Sequence, residues 1–188
     1  MPITVTPTLF AYLMLILWLP ITVILFRKLR PALALAICAI GAVLLLPERL
    51  ELFDPPALPR FGKQVIACLS LLVAALASKR ARAMFRTRRR ELAIVVTLFA
   101  ISALGTTMTN RDSLSYGPTL LPGLSFLDTI AMTIADCILI AIPFFLAKDL
   151  IRTPRDARDL LVVIVTAGAL YSLLALVEMR LSPQMHNW

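Results

Sequence analysis

Two carboxylates buried in an apolar stretch are the first residues here whose types and spacing suit chemistry. Asp128 and Asp136 stand eight residues apart inside a run of mostly apolar side chains. On a helix that spacing places them within about 80° of each other, and Thr129 and Thr133 share the sector. Asp136 falls near the middle of the run. An ionisable group at that depth in hydrocarbon is costly unless it faces protein, water or a partner. The residues alone leave two readings open: a path for an ion or substrate, or a hydrogen-bonded Asp joining helices. Asp128, nearer the end of the run, reads as interfacial.

A second set of residues suits anion recognition. Arg111 and Tyr116 lie in the stretch Thr109 to Gly123, beside the Gly117-Pro118 turn. A guanidinium and a phenol there fit an anionic substrate at a membrane edge, and a solvated connector is the alternative. Glu178, Arg180, Gln184 and His186 cluster after the last apolar run. His186 is the sole histidine, and a lone histidine near a helix end is structural more often than catalytic. The densest charge is the tract Lys79 to Arg90 (KRARAMFRTRRR). It suits lipid headgroups and the fixing of orientation, which share one physics. Cys38, Cys68 and Cys137 each sit in an apolar run with no CxxC spacing, and read as small apolar side chains. No P-loop, GxSxG, HExxH or cluster of metal ligands occurs, so neither a metal nor a cofactor is expected.

The elements that must position these residues follow from composition. Of 188 residues, 60% are hydrophobic and 16% charged, and mean hydropathy is +0.87. Soluble domains run nearer about 45–50% apolar and about 25% charged. A single core of this size cannot hide so much apolar surface, which excludes a water-soluble enzyme. The formal charge of +8 would suggest nucleic acid in a soluble protein. Here the cations sit in short runs beside apolar segments, as membrane orientation requires, so no nucleic-acid partner is expected and membrane lipids are.

Six apolar runs predict transmembrane spans near residues 8–26, 31–46, 61–77, 92–108, 124–147 and 160–181. They are apolar all round and lack the alternation of a barrel, so they must be helices. The expected fold is an all-α polytopic bundle in one transmembrane region, with no soluble domain. The runs 31–46 and 61–77 are short, and a re-entrant hairpin is open for them. Fourteen Lys and Arg fall on one side of the runs and five on the other. The positive-inside rule then places both termini outside the cytoplasm. The segment Met1 to Pro7 has no basic region, so a cleavable signal peptide is not expected.

The closing segment, Glu178-Met179-Arg180-Leu181-Ser182-Pro183-Gln184-Met185-His186-Asn187-Trp188, resembles a recurrent segment of bacterial O-antigen ligase and polysaccharide polymerase-like membrane proteins. Tyr116-Gly117-Pro118, Leu121-Pro122-Gly123-Leu124 and the Asp-bearing helix after them look similar too. The resemblance covers roughly residues 85 to 188. It implies a multi-pass protein of the bacterial inner membrane in cell-surface polysaccharide assembly. Such proteins transfer glycan from a polyprenyl diphosphate carrier outside the cytoplasm, without a metal. Arginines would hold the diphosphate, with Arg111 and Arg180 near it, and a base would activate the acceptor hydroxyl. Glu178, Arg180, Gln184 and His186 are the matching positions, on the predicted outer side. Because the family continues with further helices and a large outer loop, the resemblance implies an N-terminal portion, inactive as glycosyltransferase by itself. Two readings from other classes stand beside it: a small transporter or channel subunit using Asp136, and a non-catalytic membrane scaffold.

Overall fold

A computed structural model describes residues 9–48, 50–53, 58–84, 89–117 and 119–185. The helices are α1 (Leu9–Lys28), α2 (Pro31–Leu45), α3 (Lys63–Ala77), α4 (Lys79–Arg82), α5 (Arg89–Thr109), α6 (Phe126–Asp136), α7 (Ile142–Leu150) and α8 (Pro154–Met185). A π turn, Cys137–Ala141, joins α6 to α7 without a break. Two short strands, β1 (Leu114–Tyr116) and β2 (Thr119–Leu121), pair antiparallel between α5 and α6.

Local chemistry sets the helix starts. Pro31 opens α2, where its missing N–H costs nothing, and extended Arg30 precedes it. Pro154 opens α8 in the same way. The Thr153 hydroxyl accepts the Asp156 N–H at 3.2 Å, and the Asp156 carboxylate accepts the Thr153 N–H at 3.0 Å. This reciprocal cap starts α8 at residue 154, six positions before the predicted span, and so brings Arg155 and Arg158 onto the helix.

The chain is an all-α, multi-pass membrane protein, and no soluble domain is evident among the described residues. Four helical segments are long and apolar enough to cross a membrane: Leu9–Lys28, Arg90–Thr109, Phe126–Leu150 and Pro154–Val177. The sequence predicts six. The other two, α2 and α3, have 15 residues each. That gives a rise of about 22 Å, against roughly 30 Å of hydrocarbon.

These two short helices form the centre of the bundle. At one end Ala34, Leu35 and Cys38 of α2 meet Leu71, Ala74 and Ala75 of α3, Phe26 of α1, and Leu146 and Leu150 of α7. At the other end Ala42 and Leu46 pack with Leu15 and Trp18 of α1, and with Ile66 and Ala67 of α3. So α2 runs antiparallel to α1 and α3. The contacts are rich in alanine, which lets helix backbones approach where lipid provides no hydrophobic drive to associate. At Gly41 an added Cβ would meet the Trp18 ring at 3.0 Å. The long helix α8 packs on α2 and otherwise exposes its leucines and valines, as a lipid-facing helix does.

The end of the bundle that holds most of the basic residues is stitched by polar contacts. Arg30, just before α2, pairs with Asp159 of α8. Lys148 of α7 pairs with Glu91 of α5 at 2.8 Å. Arg152 donates to the Met84 carbonyl at 2.6 Å and lies 3.5 Å from the buried Asp149 carboxylate. The Ser78 hydroxyl donates to the Phe26 carbonyl at 3.1 Å.

Candidate functional site

A cleft opens between the C-terminal half of α2, the start of α3 and the π turn. Its polar part, about 420 Å³, is lined by Glu48, Glu51, Arg60, Lys63 and Gln64, with Leu139 of the π turn. Its apolar part, about 390 Å³, shares Lys63, Gln64 and Leu139 and continues between Ala39, Ala42 and Val43 of α2 and Ala67, Cys68 and Leu71 of α3, against Pro143. Small side chains on the two short helices leave this groove open.

The segment between α2 and α3 holds the polar part in place. The Leu52 N–H donates to the Phe61 carbonyl at 3.0 Å, the Phe61 N–H donates to the Phe53 carbonyl at 2.9 Å, and Glu51 bridges to Gly62. The Phe53 and Phe61 rings stack tilted with centroids 6.2 Å apart. Because the α2–α3 hairpin is short, its far end stops about 8 Å inside the opposite boundary when the stitched basic end sits at the membrane surface.

Lys63 is the central group. Its side chain is only 16% exposed, and its ammonium lies 2.7 Å from Glu48, which is 70% exposed. Arg60 and Glu51 form a looser, exposed pair at 3.3 Å. The Glu48 end of the pair is solvated, so the ammonium can be reached by a competing anion from the vestibule. The Gln64 amide has no hydrogen-bond partner among the described residues and lines both parts of the cleft. A recessed ammonium and a free amide at the junction of a polar vestibule and an apolar groove match an amphiphile with an anionic head.

The residues singled out in the sequence have other placements. The Asp128 carboxylate accepts the Ser125 N–H at 2.6 Å and the Ser125 hydroxyl at 2.7 Å, so it caps the start of α6. Thr129 reaches across to Thr107 of α5 at 2.8 Å, a buried link between hydroxyls. Asp136 is half-buried, ten residues into the span, and has no hydrogen-bond or ion-pair partner among the described residues. The π turn follows it directly. Such turns interrupt the regular hydrogen-bond ladder and are frequent at functional sites.

Arg111 and Arg180 are both exposed and make no ion pair among the described residues. Tyr116 lies on β1, while Glu178 and Gln184 lie on α8, with side chains outside the described ones. His186 lies outside the described residues altogether. Of the sequence-derived anion set, Arg111 and Arg180 are the members whose side chains are described. The cleft that the structure forms rests on Lys63 and Gln64, whose only signal in the sequence is polarity at the edge of a short apolar run. Among the described residues no group of His, Cys, Asp and Glu could hold a metal ion. The chain matches no protein-family model, no curated protein and no solved structure.

Proposed function

We propose that this chain is a membrane region that binds a lipid-linked anion, of the O-antigen ligase and polymerase-like type acting on polyprenyl-diphosphate-linked glycan in the bacterial inner membrane. The supporting observation is the recessed Lys63 ammonium between a polar vestibule and an apolar groove. In this reading the diphosphate replaces Glu48 on Lys63, and the isoprenoid chain lies along Ala39, Ala42, Ala67 and Leu71. The glycan extends outward past Arg60. The charge asymmetry supports a cleft that faces away from the cytoplasm, with both termini on that side.

The test is binding of a photoreactive polyprenyl diphosphate to the purified chain in lipid nanodiscs. Lys63→Gln should weaken binding roughly 10- to 100-fold, the value of one hydrogen bond to a charged group. Glu48→Gln removes the competing carboxylate and should tighten binding. Affinity unchanged in both variants would refute the assignment.

A second reading, a transporter or channel subunit, is favoured by one observation: Asp136 stands about 15 Å down its span, unpartnered among the described residues and next to the π turn. It expects Asp136→Asn to abolish ion flux in proteoliposomes while lipid-diphosphate binding persists. Flux equal in wild type and variant eliminates it.

A further inference from the structure

A second cavity lies at the basic end of the bundle, where α1 stops and α3 breaks into α4. It encloses about 530 Å³ and is lined by Phe26, Arg27, Lys28, Leu29, Ala77, Ser78, Lys79 and Arg80. Its lining includes the apolar Phe26, Leu29 and Ala77, and Ser78 is spent on the Phe26 carbonyl and on the Ala81 N–H that it caps. Its rim carries four cations and no carboxylate.

Convergence on one cavity sets these four cations apart from the rest of the basic face, where Arg82, Arg90, Arg155 and Arg158 also lack a carboxylate partner among the described residues but line no common cavity with them. Arg30, Lys148 and Arg152 each have a carboxylate partner. Arg27, Lys28, Lys79 and Arg80 have none among the described residues, although two separate elements bring them to one rim. Uncompensated charge of that density requires an anion. A chloride atmosphere would satisfy it diffusely. A concave site that combines four cations with Phe26 and Leu29, at the end of apolar membrane helices, favours a group that is anionic at one end and hydrocarbon at the other.

We propose that the Arg27–Lys28–Lys79–Arg80 cavity binds a phosphate-bearing headgroup, presented by an anionic phospholipid of the adjacent leaflet. The Arg guanidiniums bond the phosphate oxygens in pairs, and the two ammoniums neutralise the remaining charge. The acyl chains leave past Phe26 and Leu29. This site is independent of the outer cleft, since it shares no residue with it.

Amine-reactive labelling of the intact chain, read by mass spectrometry, tests the proposal without any substitution. In phosphatidylcholine vesicles Lys28 and Lys79 should label freely. Added phosphatidylglycerol should protect both by roughly fivefold, the value of one cation at an anionic surface, and leave Lys148, paired to Glu91, within about twofold. Protection by inorganic phosphate in phosphatidylcholine vesicles would instead support a soluble phosphate ligand at the same cavity. Equal protection of all three lysines, or none, would overturn the site. Lys79→Gln should also weaken phosphatidylglycerol retention roughly fivefold, while Arg155→Gln on the same face leaves it unchanged.

Discussion

Gly123→Ala is expected to open the β1–β2 hairpin and displace Arg111. A Cβ at position 123 would overlap the Arg111 carbonyl and stand 3.1 Å from the Asp112 carbonyl carbon. These obstacles are backbone atoms, so no rotamer change relieves them. The neighbouring Leu124 N–H donates to the Asn110 carbonyl at 2.8 Å and closes the base of the hairpin. Separating the two strands enough to admit a methyl group breaks that bond, and the β1–β2 pairing above it loses its anchor. Backbone strain of this kind costs about 1–3 kcal/mol, and the lost hydrogen bond adds about 1 kcal/mol. Hydrogen exchange at the Leu124 amide and across Leu114–Leu121 should accelerate by one to three orders of magnitude. The bundle should persist, because the Thr107–Thr129 hydrogen bond ties α5 to α6 below the hairpin. Unchanged exchange at Leu124 would show that the close approach does not exist. If Arg111 also assists the lipid-linked anion, its binding should weaken in this variant while the Lys63 contact remains.

The helices were legible because their signal is local. Each apolar run became a helix within a few residues of its expected ends, since an apolar stretch in lipid has one way to satisfy its backbone. The early start of α8 was legible in principle as well: Thr153-Pro154-Arg155-Asp156 carries both a cap and a first-turn proline. The π turn was not, because Cys137–Ala141 is as apolar as an ordinary helical turn. Nor was the β1–β2 hairpin, whose strands are three residues each.

The site was harder still. The cleft needs residues 39–43, 63–71 and 139–143 at once, and only packing brings them together. In the sequence Lys63 is merely a charge at the start of a short run. Cations counted for orientation also include two kinds that a count does not distinguish. Arg30, Lys148 and Arg152 bind helices together, whereas Arg27, Lys28, Lys79 and Arg80 face a cavity. Gly123 shows the reverse case. It drew notice only as part of a resemblance, and the structure supplies a steric reason for it that holds whether or not the resemblance does.

The central packing should fail in Ala74→Leu. Ala74 has no exposed surface and sits among Phe26, Ala34, Leu35, Cys38, Leu71, Leu146 and Leu150. Leucine adds three heavy atoms at the point where α1, α2, α3 and α7 converge. In a water-soluble core, overpacking costs typically about 1–3 kcal/mol, because the exposed alternative is also unfavourable. In lipid a displaced helix meets no hydrophobic penalty on facing acyl chains, so the strain is relieved by separating the helices. The same movement takes α3 away from α1 and removes the Ser78–Phe26 link at its end. Loss of about 1–3 kcal/mol of resistance to SDS unfolding is therefore expected, together with closure or collapse of the groove between Ala39 and Leu71. Val73→Leu is the control: Val73 is its neighbour on α3 and 43% exposed, so the added methylene meets lipid. If the two variants unfold alike, the short helices do not pack as a pair at the centre, and the cleft they form would lose its walls.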